Sequence, residues 1–294
     1  MTFILALQAT TPIPDGVVIA VNEFADFLVR YLGALAAVGA LSMALIEAAK
    51  KLLDSRTKFQ ALRWTRWVMR TPLDRALSGA QPATHARSMA QVIQLCTGVT
   101  TDEASSAADG LIERGGHLSL GHAFHTVPAH ALFALDLARM MGSIQDAADV
   151  ALSSPTEYSD LYQLMTAGAR ADDVERWYAD GSSALVSIAD LNPTTEQRQA
   201  VKEHAERFAR LRQIVKRKLD GFQLYTGDRW ASWNQTAANA AGIVVMFIVL
   251  TWLQRNSAVA SISFPSLVVF SLLGGILSPV AKDLVSALKR VKDG

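Results

Sequence analysis

The stretch QTAANAAGIVVMFIVLTWLQ, residues 235–254, contains no charged side chain. A second charge-free stretch follows at residues 256–281. Each has roughly the 20 residues that a helix needs to cross the hydrocarbon core of a bilayer. The connection between the two stretches is too short to be a domain. The sequence therefore predicts a transmembrane hairpin with spans at 235–254 and 262–281.

A third apolar stretch lies near the start of the chain. Residues 31–46 are uncharged, and the run begins earlier if Arg30 extends toward the nearer interface. We predict a first transmembrane helix at 25–50. The residues before it lack the basic start and long apolar core of a signal peptide, so we expect a short extracytoplasmic tail at 1–24.

Lysine and arginine near the ends of membrane spans indicate which side faces the cytoplasm. Basic residues cluster after the first span, before the second and after the third: Lys50, Lys51, Arg56, Lys58, Arg63, Arg66, Arg70 and Arg75; Lys216, Arg217, Lys218 and Arg229; Lys282, Lys289, Arg290 and Lys292. The opposite side carries only Arg30 and Arg255 near the span ends. We expect a multi-pass protein of the cell (inner) membrane, with the N-terminus outside and the C-terminus inside.

The segment at 51–232 has the ordinary polar composition of a soluble domain. The chain of 294 residues has a net charge of +1 and one cysteine, Cys96, which indicates a reducing compartment for its bulk. We predict an all-α fold: an integral membrane protein with three transmembrane helices, a helical cytoplasmic domain at 51–232 and a basic cytoplasmic tail at 282–294. Nothing in this balanced charge points to nucleic-acid binding, and we expect none.

Local signals divide the domain into helices. The pattern predicts a helix from Thr84 to Cys96 that ends at Gly98, and another that begins at Thr101. Ser154-Pro155-Thr156-Glu157 is typical of a helix start. Asn192-Pro193 predicts the start of a long helix that reaches about Phe222. The run HLSLGHAF at 117–124 is the only candidate strand.

A basic helix at 58–70 follows the first span directly. It carries Arg63, Arg66 and Arg70 on one face and Trp64 largely on another, and it also contains Trp67. We predict that these five residues form a membrane-surface helix on the anionic cytoplasmic leaflet. The alternative is a soluble helix that packs both tryptophans into the domain core.

Histidines cluster between residues 117 and 130. His122 and His125 are three residues apart and His130 is close behind, so three imidazoles could bind one metal ion such as zinc. The stretch lacks a carboxylate ligand, and histidines also serve as polar residues at helix ends. The composition identifies no cofactor.

Small residues recur at helical spacing within the predicted spans. The set comprises Gly33, Ala36, Ala40 and Ala44 in the first, Ala238 and Gly242 in the second, and Ser271 and Gly275 in the third. Close backbone approach at small residues drives helix association in lipid. The pattern fits packing within one chain or between copies. A stripe of Val201, Phe208, Val215 and Phe222 offers a second contact between copies.

The sequence lacks a phosphate loop, a dinucleotide fingerprint, a nucleophile elbow, an HExxH motif and paired cysteines. We therefore expect a non-enzymatic, homo-oligomeric membrane protein. Its cytoplasmic domain would receive a cytosolic protein partner or a signal, and the protein would act as an assembly scaffold or a pore component. The alternative is a membrane-anchored, metal-dependent enzyme that uses the histidine cluster at 117–130.

Overall fold

A computed structural model gives the structure of this chain. It describes residues 33, 36–73, 77, 83–113, 127–180, 194–256 and 263–276. The structure is 88% helical, and no strand occurs among the described residues. The predicted all-α fold is confirmed. The candidate strand at 117–124 lies outside the described residues.

Ten helices lie in the described part of the chain. They are α1 (36–53), α2 (Ser55–Arg70), α3 (His85–Thr97), α4 (Thr101–Glu113), α5 (Val127–Ala134), α6 (Leu137–Ser153), α7 (Ser159–Thr166), α8 (Ala171–Asp180), α9 (Thr195–Asn256) and α10 (Phe264–Ile276).

The chain forms two compact units. The larger unit is Leu53–Ala231, and the smaller one combines Met1–Leu52 with Ser232–Gly294. Helix α9 belongs to both, because its 62 residues continue without a break past Ala231. The predicted helix from Asn192-Pro193 and the predicted span at 235–254 are therefore parts of one helix.

One described helix is long and apolar enough to cross a membrane: the part of α9 from Thr195 to Trp252. Only 17% of its apolar window is buried inside the structure, whereas the core helix of a soluble protein would be mostly buried. Helix α10 is apolar but shorter. The described part of the predicted first span, 36–50, is helical, and the rest of 25–50 lies outside the described residues, apart from Gly33.

The ends of α3 follow directly from its sequence. The Thr84 hydroxyl accepts a hydrogen bond from the Arg87 backbone N–H at 3.1 Å, as expected at a helix start. The helix ends at Gly98, whose φ of +71° lies in the left-handed region that glycine adopts most readily. Both predicted boundaries of this helix are confirmed within one residue.

The predicted helix start at Ser154 is displaced. Residues 155–158 form a turn and α7 begins at Ser159. Helix α6 ends at Ser153, and the Ser154 N–H still donates to the Val150 carbonyl. Pro155 is buried and has no N–H to continue that ladder, so the chain turns before α7 begins.

The core of the larger unit forms around α3. This helix packs against α4, α5, α6 and α7, and α2 packs against α5. The largest fully buried side chains include Trp64, Tyr162, Phe133 and Met89. One face of α9 joins the same core through Leu211, Val215, Leu219 and Phe222.

This placement corrects one expectation for the heptad stripe. Val215 and Phe222 are buried within the unit, and Phe208 packs against the core, so these residues are not available as a contact between copies. Only Val201 is exposed, at 36%. A stripe of this spacing can bury itself against its own domain as readily as against another chain, because both partners remove the same apolar surface from water.

Candidate membrane interface

The smaller unit exposes an unusual amount of apolar surface. On α9 and α10, Ile248, Trp252 and Phe264 are 59%, 62% and 70% exposed, and further large apolar side chains lie exposed beside them. These further side chains are Val244, Val269, Phe270, Leu272, Leu273 and Ile276. Soluble monomers rarely expose contiguous apolar surface of this extent, so a membrane or a protein partner is expected to cover it.

Helices α9 and α10 approach each other closely at glycine. A Cβ added to Gly275 would lie 2.6 Å from the Cα of Ile243, and one added to Gly274 would lie 2.5 Å from the Cε of Met246. Ala238, Gly242 and Ser271 are buried at neighbouring positions. The small residues predicted in the second and third spans thus lie buried around a contact within the chain.

The small residues of α1 are arranged differently. Gly33, Ala40 and Ala44 are exposed, and a Cβ on Gly33 would meet no atom within 4 Å. Ala36 is half-buried, whereas Gly39 and Ser42 are the buried small residues of this helix. The alanine face of α1 is therefore not used within the described chain.

In α2, the predicted membrane-surface residues separate into two groups. Trp64 is fully buried, and its ring lies 4.8 Å from that of Trp67, which is half-buried. Both rings contact Phe222 of α9 edge-on. Trp64 therefore belongs to the domain core, which was the alternative for this helix. Arg66 and Arg70 are exposed, so only the basic face of α2 remains available to a membrane.

Side-chain contacts show that α2 and α9 run antiparallel. Phe59 meets Trp230 with ring centroids 5.0 Å apart, and farther along α2 the Lys218 ammonium lies 5.6 Å from the Trp67 ring centre. Between them, Trp64 meets Phe222. Because Phe59 is near the start of α2 and Trp230 near the end of this unit, the two chain ends of the larger unit, Leu53 and Ala231, lie close to the same end of the helix pair.

At that end, two arginines converge on one tyrosine. The guanidinium carbon of Arg63 lies 4.7 Å from the centre of the Tyr225 ring, and that of Arg229 lies 5.5 Å from it. Hydrogen bonds and positive charge from Arg63 and Arg229 lower the pKa of Tyr225 below its usual value. The sequence placed Arg63 on a basic face but did not identify this cluster. The sequence did show that Tyr225 and Arg229 are four residues apart, a spacing that places two side chains side by side on a helix.

Charged side chains of α9 form ion pairs and hydrogen bonds with other helices of the larger unit. Arg210 forms two hydrogen bonds with Asp173 at 2.7 and 3.1 Å, which lower the pKa of that carboxyl group. Arg212 pairs in the same way with Asp149. The Lys218 ammonium donates to the carbonyls of Leu164, Met165 and Ala167 at the end of α7, and burial lowers its pKa to about 8.

Two of the three residues of the predicted metal site, His122 and His125, are not described by the structure, so the site stays a prediction. The Nε2 atom of His130 lies 2.9 Å from a carboxylate oxygen of Asp54, the residue between α1 and α2, whose φ is +47°. No group of three or more metal-ligating side chains occurs in the described part of the chain.

Cys96 is unsuited to nucleophilic chemistry. Burial raises the pKa of its thiol to about 12, and the nearby Asp146 carboxylate adds to this shift. The sulfur lies 3.4 Å from the Ser143 carbonyl oxygen. The thiolate, which is the reactive form, is therefore scarce near neutral pH.

Comparison of the chain with protein-family models, with curated proteins and with solved structures found no match.

Proposed function

We propose that this chain is a multi-pass membrane protein whose helical domain receives a cytosolic partner or signal and passes it to the membrane segments through α9. The observation that carries the proposal is the exposed apolar surface of α9 and α10, on a helix that begins in a folded polar domain. The protein spans the membrane three times, with the N-terminus outside, the larger unit in the cytoplasm and the C-terminus inside.

The shape of the larger unit supports this arrangement. Its two chain ends lie at one end of the α2–α9 pair, so both connections to the apolar segments can leave from the same side of the domain. The exposed Arg56, at that end of α2, suits an anionic leaflet there, since basic residues near a membrane surface contribute about 1 kcal/mol each.

Continuity of α9 supports a role in transmission. Its buried face is part of the core at Leu211, Val215 and Leu219, and the same helix continues to Asn256. A partner that shifts α6 or α8 would act on α9 through the ion pairs of Asp149 and Asp173. We propose that the protein works as a homo-oligomer, because the three helices of one chain enclose too little space for a polar path. Several copies together can form a scaffold or a pore.

Topology can be tested by labelling introduced cysteines in intact cells. In a Cys96→Ala background, the Ser257→Cys protein should react with a membrane-impermeant maleimide added from outside. The Ser182→Cys protein should react only after the cells are permeabilised. External labelling at position 182, or labelling of neither variant in intact cells and of both after permeabilisation, would contradict the proposed orientation.

A further inference from the structure

Two guanidinium groups converge on one tyrosine of the larger unit, and neither forms an ion pair with a carboxylate of the described residues. In the described part of the chain, ion pairs with carboxylates form at other arginines, such as Arg87, Arg210 and Arg212. Neither Arg63 nor Arg229 takes part in one. Two positive charges held near one ring repel each other unless an anion lies between them.

The fold brings the three residues of the cluster together without a ligand. Arg63 is half-buried on α2, next to the buried Trp64, and Tyr225 lies three residues after the buried Phe222 on α9. The Phe59–Trp230 ring contact joins the same two helices one turn away. An anion here would bind to side chains that α2 and α9 already bring together, which lowers the cost of forming the site.

The electrostatic field at the cluster already favours negative charge. The lowered pKa of Tyr225 means that Arg63 and Arg229 stabilise a phenolate oxygen at this point. A phosphate oxygen would experience the same field. Two planar guanidiniums and a phenol hydroxyl also match the hydrogen-bonding needs of a phosphate group, because arginine donates in pairs to such anions.

The position of the cluster identifies the source of the phosphate. Arg229 precedes the charge-free stretch that begins at Gln235 by six residues on the same helix. Leu224, beside the tyrosine, is 75% exposed. An exposed apolar side chain next to a cationic cluster suits the boundary between headgroups and acyl chains.

We propose that Arg63, Tyr225 and Arg229 form a binding site for the phosphate group of an anionic membrane lipid. The proposal rests on the proposed membrane anchoring of the chain. It adds a specific headgroup site to that anchoring: one lipid bridges α2 and α9 where the larger unit meets the bilayer.

Native mass spectrometry of the full-length protein in a neutral detergent can test the site. Phosphatidylglycerol is titrated into the wild type, into an Arg63→Gln/Arg229→Gln variant and into a matched control, Arg198→Gln/Lys202→Gln. The control removes the same charge from exposed positions of α9. We expect the first bound phosphatidylglycerol to dissociate about tenfold more readily from the site variant, and the control to match the wild type. Circular dichroism verifies that both variants remain helical.

Three results would overturn the proposal. They are unchanged affinity in the site variant, an equal loss in both variants, or displacement of the lipid by an equal concentration of inorganic phosphate, which would indicate a site for a soluble anion. The anchoring itself is tested separately by alkaline carbonate treatment of membranes that contain the wild type. Extraction by carbonate would refute the anchoring, whereas loss of the lipid site alone would leave it intact.

Discussion

His204 illustrates how a single residue of α9 can make the domain sensitive to acid. Its ring stacks on that of Trp177 with centroids 4.2 Å apart, and it is 8% exposed. Its Nε2 atom has no hydrogen-bond partner in the described part of the chain. Burial and the nearby Arg207 lower the pKa of His204, while Asp180 opposes them.

The lowered pKa predicts a loss of stability in mild acid. The unfolded chain binds this proton more tightly than the folded one, so the free energy of unfolding is highest above pH 6.5. It decreases as the pH falls through 6.5 toward the folded-state pKa. Arg210 lowers the pKa of the Asp173 carboxyl group. The stability that this group contributes is therefore lost only as the pH falls below 3.8. Thermal unfolding of the full-length protein in detergent, followed by tryptophan fluorescence between pH 7.5 and 5, measures the effect.

A His204→Phe variant should retain the ring stacking and lose most of this pH dependence. The matched control is Val201→Phe, which introduces the same side chain at an exposed position of α9, removes no titratable group and should keep the wild-type slope. An unchanged slope in the His204→Phe protein would assign the acid sensitivity to other groups.

At the scale of helices, the contact between α9 and α10 depends on glycine. The Cα of Ile243 lies where a side chain on Gly275 would begin, and backbone atoms cannot move aside as a flexible side chain can. The predicted second and third spans pack against each other because small residues lie at their point of contact. In lipid this close approach contributes dispersion contacts that apolar surface alone does not provide.

Gly275→Ala should weaken the α9–α10 contact by about 1–3 kcal/mol, the usual effect of added volume in tight packing. Gly33→Ala is the matched control, since its added methyl group meets no atom within 4 Å. Thermal stability and resistance to proteolysis in detergent should decrease for Gly275→Ala alone. Equal behaviour of the two variants would mean that the helices do not approach closely in the membrane.

At the scale of the whole molecule, α1 presents a face that the described chain leaves exposed. Ala40 and Ala44 lie on it one turn apart, while Gly39 and Ser42 lie on the buried side. Both lipid and a second copy can cover such a face. We expect a second copy, since small residues allow helix backbones to approach in lipid.

Ala40→Leu should therefore dissociate the assembly while leaving membrane insertion favourable. Light scattering in a mild detergent should show a mass that falls toward the 31.8 kDa of one chain. Helical content should stay unchanged, because leucine favours helix. A wild type that is monomeric both in several mild detergents and in nanodiscs would contradict the assembly, and α1 would then face lipid.

The sequence alone determined features that depend on neighbouring residues. The charge-free stretch from Gln235, the all-α fold and the end of α3 at Gly98 follow from composition, periodicity and turn chemistry, all of which act over a few residues. The predicted three-span topology also derives from such local patterns and stays a prediction, together with the oligomer and the histidine site.

Which environment buries each apolar or charged face became clear from the folded chain. Trp64 packs on Phe222 rather than at a membrane surface, and Val215 in the domain core rather than between copies. Core, lipid and a second chain all remove the same apolar surface from water, so the pattern of residues cannot distinguish them. The cluster of Arg63 with Tyr225 and Arg229 likewise required the fold, because α2 and α9 are far apart in the chain and meet only when the domain core brings them together.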